Sequence, residues 1–279
     1  MLFEGHDFKE IKEDFDHAAR KVFGADISYV LYSGSVAYGG GRVGVSDIDV
    51  MVVLKRRLST EAALAKQIAF AKEYFAIHAK YNFDPDRIFP GEVLSADLAE
   101  DAVLGRGFSL HNGRLHLPQA SAEYYLADSE HWFRAWISML AFSVFGSGSF
   151  EQFDGFKRRA WRTILLYLIS RQIENTVCPD SVIRMLSSGG NKWLGFGITE
   201  NYHLFSSLEA PYIERVITML EQEGFLKKEG KSYIADIPLV SKWEMNLVQS
   251  IENRDIRNSK LITTLEDVQS ICKNSMVLI

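Results

Sequence analysis

Between Phe8 and Val22 the apolar residues Phe8, Ile11, Phe15, Ala18, Ala19 and Val22 recur at spacings of three and four. That period predicts a helix over 8–22, capped by Asp7 and stopped at Gly24. The period then changes: Ile27 to Tyr32 is a short β-branched and aromatic run, and a Gly-rich turn follows from Gly34 to Gly44. Asp49 to Leu54 is continuously apolar after its first residue, the pattern of a strand buried on both faces. A helix from Glu61 to about Lys80 has Ser59 or Thr60 as its cap, and Pro85 and Pro90 punctuate the loop after it. Glu92 to Ser95 reads as a short strand, and 107–117 as a hairpin turning at Asn112-Gly113.

From Glu123 the pattern turns helical. Trp132, Trp136, Met139, Leu140, Phe142, Val144 and Phe145 read as one strongly apolar helix, broken by Gly146-Ser-Gly-Ser149. A second helix over 156–172 sets Trp161, Ile164, Leu165 and Leu168 against Lys157, Arg158, Arg159 and Arg162. Pro211 to Glu223 is amphipathic and stops at Gly224, and Phe225-Leu226 with Ser232 to Ala235 forms a hairpin. The expected class is α+β: a mixed sheet over about 25–95 with helices on one face, then a mainly helical half. The expected division is residues 1–120 and residues 121–279, with a winged-helix-like segment near 205–240.

Composition narrows the class without changing it. The chain has 279 residues, 47% hydrophobic and 24% charged, so a real core is affordable and global disorder is excluded. Two cysteines, Cys178 and Cys272, make neither a disulfide framework nor a zinc site, and they fit a reducing compartment. No run of 18 apolar residues reads as a membrane span, and the first residues lack the basic and apolar regions of a signal peptide, so a cytoplasmic protein is expected. The net charge of −5 disfavours general affinity for nucleic acid.

The chemistry is concentrated in Tyr32-Ser-Gly34-Ser35-Val-Ala37-Tyr38-Gly39-Gly-Gly41-Arg42-Val-Gly44-Val-Ser46-Asp47-Ile-Asp49. A strand ending at Gly34-Ser35 lets backbone N–H groups approach an anion, with the Ser35 hydroxyl as a further donor. A helix starting near Val36 aims its positive end at the same place. If Asp47 opens the second strand, Asp47 and Asp49 project from one face. Two carboxylates beside a phosphate loop form a site for Mg²⁺, which completes its shell from water and phosphate oxygens.

This order, Gly34-Ser35-x-Ala37-Tyr38-Gly39 followed by Ser46-Asp47-Ile48-Asp49, resembles the nucleotidyltransferases of the DNA polymerase β superfamily. It looks most like their aminoglycoside-type and minimal branches. Some aminoglycoside-modifying relatives carry arginine after the alanine, where this chain has Tyr38. The resemblance covers about 27–95 and implies a nucleotidyltransferase domain in residues 1–120. It implies transfer of a nucleoside monophosphate, AMP from ATP, to a hydroxyl of a small-molecule acceptor, with pyrophosphate released. It also implies two Mg²⁺ ions on Asp47 and Asp49 and a third carboxylate on a neighbouring strand. Asp84, Asp86 and Glu92 follow the helix; Glu92, at a strand start, is chosen as metal ligand and as the group that takes the acceptor proton.

Gly34, Ser35, Asp47 and Asp49 are the expected nucleotide contacts, joined by Arg42 and by Arg158 and Arg162. Arg42 reads equally as an exposed loop charge. Arg158 and Arg162, i,i+4 neighbours, read first as the solvated face of an amphipathic helix and second as a face laid over the triphosphate. Tyr124, Tyr125, Trp132 and Trp136 are expected to help the helical half supply acceptor specificity across a cleft between the two halves. Antibiotic modification is one version of this reading. A second is nucleotidylation of protein or RNA in a toxin–antitoxin or defence system. A third is a DNA-binding regulator with a retired nucleotide fold. Against DNA, Glu214, Glu221, Glu223, Glu229 and Asp236 balance Arg215, Lys227, Lys228, Lys231 and Lys242 over 211–242. A homodimer is compatible with the sequence.

Overall fold

The structure is a computed structural model, and it describes residues 8–56, 58, 60–86, 90–103, 109–111, 114–116, 137, 140–170, 176–187 and 205–252. The N-terminal part runs α1 (Phe8–Phe23), a 3-10 turn (Gly24–Asp26), β1 (Ile27–Ser33), α2 (Gly34–Ala37), β2 (Asp49–Leu54), α3 (Thr60–Tyr81), β3 (Glu92–Ser95) and α4 (Ala96–Val103). A two-stranded hairpin, β4 (Ser109–His111) and β5 (Arg114–His116), follows, as its strand pattern predicts. The hairpin's Asn112-Gly113 turn and the caps Asp7 and Ser59 lie outside the described residues, as do Tyr124, Tyr125, Trp132, Trp136 and Met139.

The central sheet is mixed, in the order β3-β2-β1-β6. Its fourth strand, β6 (Val144–Gly148), pairs antiparallel with β1 through Leu31↔Phe145 and Tyr32↔Val144. Val144 and Phe145 are therefore strand, not the end of a helix, and the glycines after them do not break an element. Apolar periodicity cannot tell a short buried strand from a helix end, and here the glycines decide. A Cβ on Gly146 would stand 2.8 Å from the Val30 carbonyl, and one on Gly148 would stand 2.4 Å from that of Ser28. Two glycines let β6 lie tight against β1 at a bulge.

Helices cover both faces of this sheet rather than one. Between Tyr29 and Ser33 the strand alternates regularly, so Tyr29 and Tyr32 point to opposite sides. Tyr32 packs edge-on against Phe8 and Phe15 of α1. Tyr29 packs against Phe153 and Phe156 of α5 (Phe150–Ser170). Helix α5 starts six positions before the expected Phe156, because Phe150 and Phe153 complete an aromatic group with Phe145.

The C-terminal part continues with β7 (Thr176–Val177), α6 (Pro179–Ser187), α7 (Phe205–Gln222), β8 (Leu226–Glu229), β9 (Ser232–Ala235) and α8 (Ile237–Glu252). The predicted hairpin is β8–β9, and β7 adds to it to make a three-stranded sheet ordered β7-β9-β8. Pro211 does not start its helix: α7 begins at Phe205 and carries the proline inside. The missing N–H forfeits one helical bond, which the burial of Ile213, Val216, Ile217 and Leu220 offsets. One buried apolar cluster runs from Ile11 through both sheet faces to Leu247.

Candidate functional site

Strand pairing brings the sequence-separated candidates to one end of the sheet. In the β1–β2 ladder Ser33 faces Asp49, so the residue that leaves β1, Gly34, stands beside the residue that opens β2. Gly34 has φ +72, the left-handed region that favours glycine. A Cβ built on it would lie 1.7 Å from Asp49 Oδ2. The Asp49 carboxylate thus rests on the backbone of the turn, and no other residue fits there. Strands β2 and β3 are parallel, with Met51 beside Glu92. Asp49 and Met51 share a face, so Asp49 and Glu92 emerge on the same side at the same end.

Asp47 reaches this end by another route. The strand opens at Asp49, so Asp47 lies in the approach to β2 and the two-residue alternation does not place it. The loop itself does. Ser46 N–H bonds the Arg42 carbonyl at 2.8 Å, Gly44 N–H bonds the Asn82 carbonyl at 2.6 Å, and Asp84 N–H bonds the Ser46 carbonyl at 3.0 Å. Asn82 takes φ +55 to turn the chain there.

The acids feel one another. Burial, then the charge of Asp86, then that of Asp84 raise Asp47 above the usual carboxylate range, although a hydrogen bond to its own backbone N–H opposes them. Burial, then Asp47 and Asp86, push Asp49 up to about 8. Glu92 stands well above its ordinary value, through burial first and then Asp49, Asp86 and Asp47. Among the described residues no lysine or arginine contributes to any of these three shifts. Buried like charges without a cation are costly, and a hard divalent cation removes that cost. Asp47, Asp49 and Glu92 remain half-buried rather than sealed. Among the described residues no three such side chains form a ready-made metal-ligand group. An Mg²⁺ shell needs only one or two carboxylates, with water and phosphate supplying the rest, so this hard oxygen set fits it.

Helix α3 backs the site. His78, fully buried, accepts the Ile48 N–H on Nε2 at 2.9 Å and presents Nδ1 to the Tyr74 carbonyl at 2.9 Å. Those partners fix the neutral tautomer with its proton on Nδ1. Burial, outweighing the Tyr74 bond and the charge of Asp84, holds the ring down at about 4. His78 therefore clamps the residue between the two aspartates. One turn earlier the Tyr74 hydroxyl accepts the Asp86 N–H at 3.1 Å, and Gln67 donates to the Gly91 carbonyl at 2.8 Å. The sequence signal for this spine was available in the four-residue spacing of Phe70, Tyr74 and His78, but a histidine on an apolar helix face does not say what it clamps.

The expected helix after Ser35 is a single turn, α2, and the Ser35 carbonyl accepts the Gly40 N–H at 2.8 Å. Arg42 is exposed at the loop tip. Arg158 pairs with Asp154 at 2.9 Å and Arg162 with Glu223 at 2.6 Å, where Arg162 also stacks over Phe225. The structure thus brings Gly34, Asp47, Asp49 and Glu92 together and adds Asp86, while the helix arginines hold carboxylates of the C-terminal half.

No protein-family model matches the chain. No curated protein matches it either. Among solved structures, the chain is similar to a spectinomycin adenyltransferase from Enterococcus faecialis, solved with ATP and spectinomycin. The TM-score is 0.34 and the identity 10%, over 96% of this chain and 99% of that one. So distant a likeness leaves the site to be read from its own geometry. No described helix is long and apolar enough to cross a membrane.

Proposed function

We propose that the protein is a Mg²⁺-dependent nucleotidyltransferase that moves AMP from ATP to a hydroxyl of a small-molecule acceptor. One observation carries the reading: the Asp49 carboxylate lies against a glycine that only a turn of this kind needs, among acids whose shifts no cation of the described residues offsets. In this reading the acceptor oxygen attacks the α-phosphorus in line. The bond from that phosphorus to the bridging oxygen of the β-phosphate breaks, and pyrophosphate leaves with the electron pair. The acceptor's proton passes to Glu92, whose burial among acids raises its proton affinity above the usual carboxylate range. Asp47, Asp49 and Glu92 would hold two Mg²⁺ ions, which when bound supply charge neutralisation at the entering and leaving oxygens. Ser35 and the N–H groups of the Gly34 turn would hold phosphate oxygens, with Arg42 at the loop tip as a further contact. Arg158 and Arg162 join only if their present ion pairs open.

The helical half would supply acceptor specificity from across a cleft. Among the described residues its order is helix, strand, two helices and two strands with the sheet β7-β9-β8, which supports a winged-helix-like segment used for packing or substrate, given the balanced charge over 211–242. The test is incubation of the purified protein with α-labelled ATP and Mg²⁺ against pools of small hydroxylated molecules, proteins and RNA. Label appearing in a small-molecule product, with pyrophosphate released in equal amount, is the expected result. Label in protein or RNA instead overturns the acceptor class. No pyrophosphate from any pool with any of the four nucleoside triphosphates overturns the reaction.

A further inference from the structure

Glu209, on α7, is completely buried and accepts three hydrogen bonds, one from the N-terminal turn and two from α5. Tyr38 Oη donates to Oε1 at 2.5 Å, Lys157 Nζ reaches the same oxygen at 2.6 Å, and Trp161 Nε1 donates to Oε2 at 2.7 Å. Lys157 is buried too. It also donates to the Ser143 carbonyl, just before β6, and lies 4.6 Å from the centre of the Tyr212 ring. A buried carboxylate without a partner is severely penalised, so each donor here is held by the need of the others. Of these groups Tyr38 alone belongs to the N-terminal turn. It caps α2, directly after Gly34-Ser-Val-Ala37, and opens the loop that leads to Asp47.

We infer that Tyr38 is a positioning residue through which the C-terminal helices set the placement of the loop from Tyr38 to Ser46. The ring is 1% exposed, so packing fixes where the side chain runs, and the hydroxyl fixes it to α7. In the loop beyond it Val43 alone packs against the core, while Val45 is 69% exposed and Arg42 and Gly44 also face solvent. One end is held by Asn82 and Asp84 through the backbone. The other end is held by the Gly40 N–H bond to the Ser35 carbonyl and, through its side chain, by Tyr38. Glu209, Lys157 and Trp161 thereby act on the acidic site without touching it. Any movement of α7 relative to α5 is transmitted to the turn carrying Gly34. The consequence for phosphate binding rests on the nucleotidyltransferase reading; the mechanical coupling does not.

The test separates the two. Tyr38→Phe keeps the ring and removes the hydroxyl. Hydrogen exchange, followed residue by residue in the full chain, is expected to speed up about ten-fold over 39–46 and to stay unchanged in α3. Equal exchange in variant and wild type over 39–46 overturns the inference, whatever the protein binds. A general acceleration that includes α3 also overturns it, since the hydroxyl would then serve only global stability. ATP titration in Mg²⁺ reads the nucleotide reading separately: wild type that binds no ATP sinks that reading while the exchange result still decides the coupling. Where wild type binds, Tyr38→Phe is expected to raise Kd for ATP several-fold, and an unchanged Kd with a faster loop overturns the claim that this loop is placed for the nucleotide.

Discussion

At Gly34 two independent constraints meet, a positive φ and a carboxylate where a Cβ would be. Gly34→Ala should therefore displace Asp49 and strain the turn, lowering stability by about 1–3 kcal/mol and removing nucleotide binding. Chemical denaturation and ATP titration check both halves. Asp49 makes an opposite prediction for stability. Its carboxyl is pushed up to about 8 from 3.8. Between those values the folded protein holds a proton that the unfolded chain has released, so Mg²⁺-free stability falls as pH rises through this window. Asp49→Asn should then raise the melting temperature at pH 8 in chelator, on the order of 5 °C, while abolishing transfer. Added Mg²⁺ should raise the wild-type value and leave the variant's nearly unchanged. A variant that melts lower than wild type in chelator at pH 8 would refute the burial of charge argued for this site.

Among the elements, α3 decides how well the two aspartates are held. His78 bonds the Ile48 N–H with a ring held down at about 4 from 6.5. Below pH 6.5 the unfolded chain gains a proton that the folded ring refuses, so His78 contributes a loss of stability as pH falls towards 4. His78→Leu should flatten that part of the acid limb and, by freeing Ile48, cut turnover at least ten-fold at pH 7.5. Parallel melts at pH 5 and 7 and a kinetic comparison test it. The elements themselves were largely legible: α1, β1, β2 and β3 follow from an apolar stripe or a short buried run, and α3 from its cap and the prolines after it. Three features were not. Val144 and Phe145 are strand because of contacts with β1 that no local pattern encodes. Pro211 sits inside a helix that tertiary packing sustains. Asp47 is placed by a loop bonded to 82–84, a pairing between distant backbones.

For the whole molecule, β6 and α5 bind the N-terminal sheet to the rest of the chain. Tyr29 is 3% exposed under Phe153 and Phe156, and β1 bonds β2 on one side and β6 on the other. A truncation ending at residue 120 lacks both coverings. It should be insoluble or aggregate on refolding, whereas the full chain should remain soluble; gel filtration distinguishes them. A soluble, monomeric 1–120 fragment would show the sheet to be self-sufficient.

The order of the strands also governs how the protein is made. Strand β1 ends at Ser33, and its second neighbour begins only at Val144. At about 5–20 residues per second the ribosome takes on the order of ten seconds to deliver it. Through that interval a nascent chain offers the open side of an apolar, hydrogen-bonding strand to whatever is near. Output in cells should therefore track chaperone supply during translation more closely than the finished protein's melting temperature.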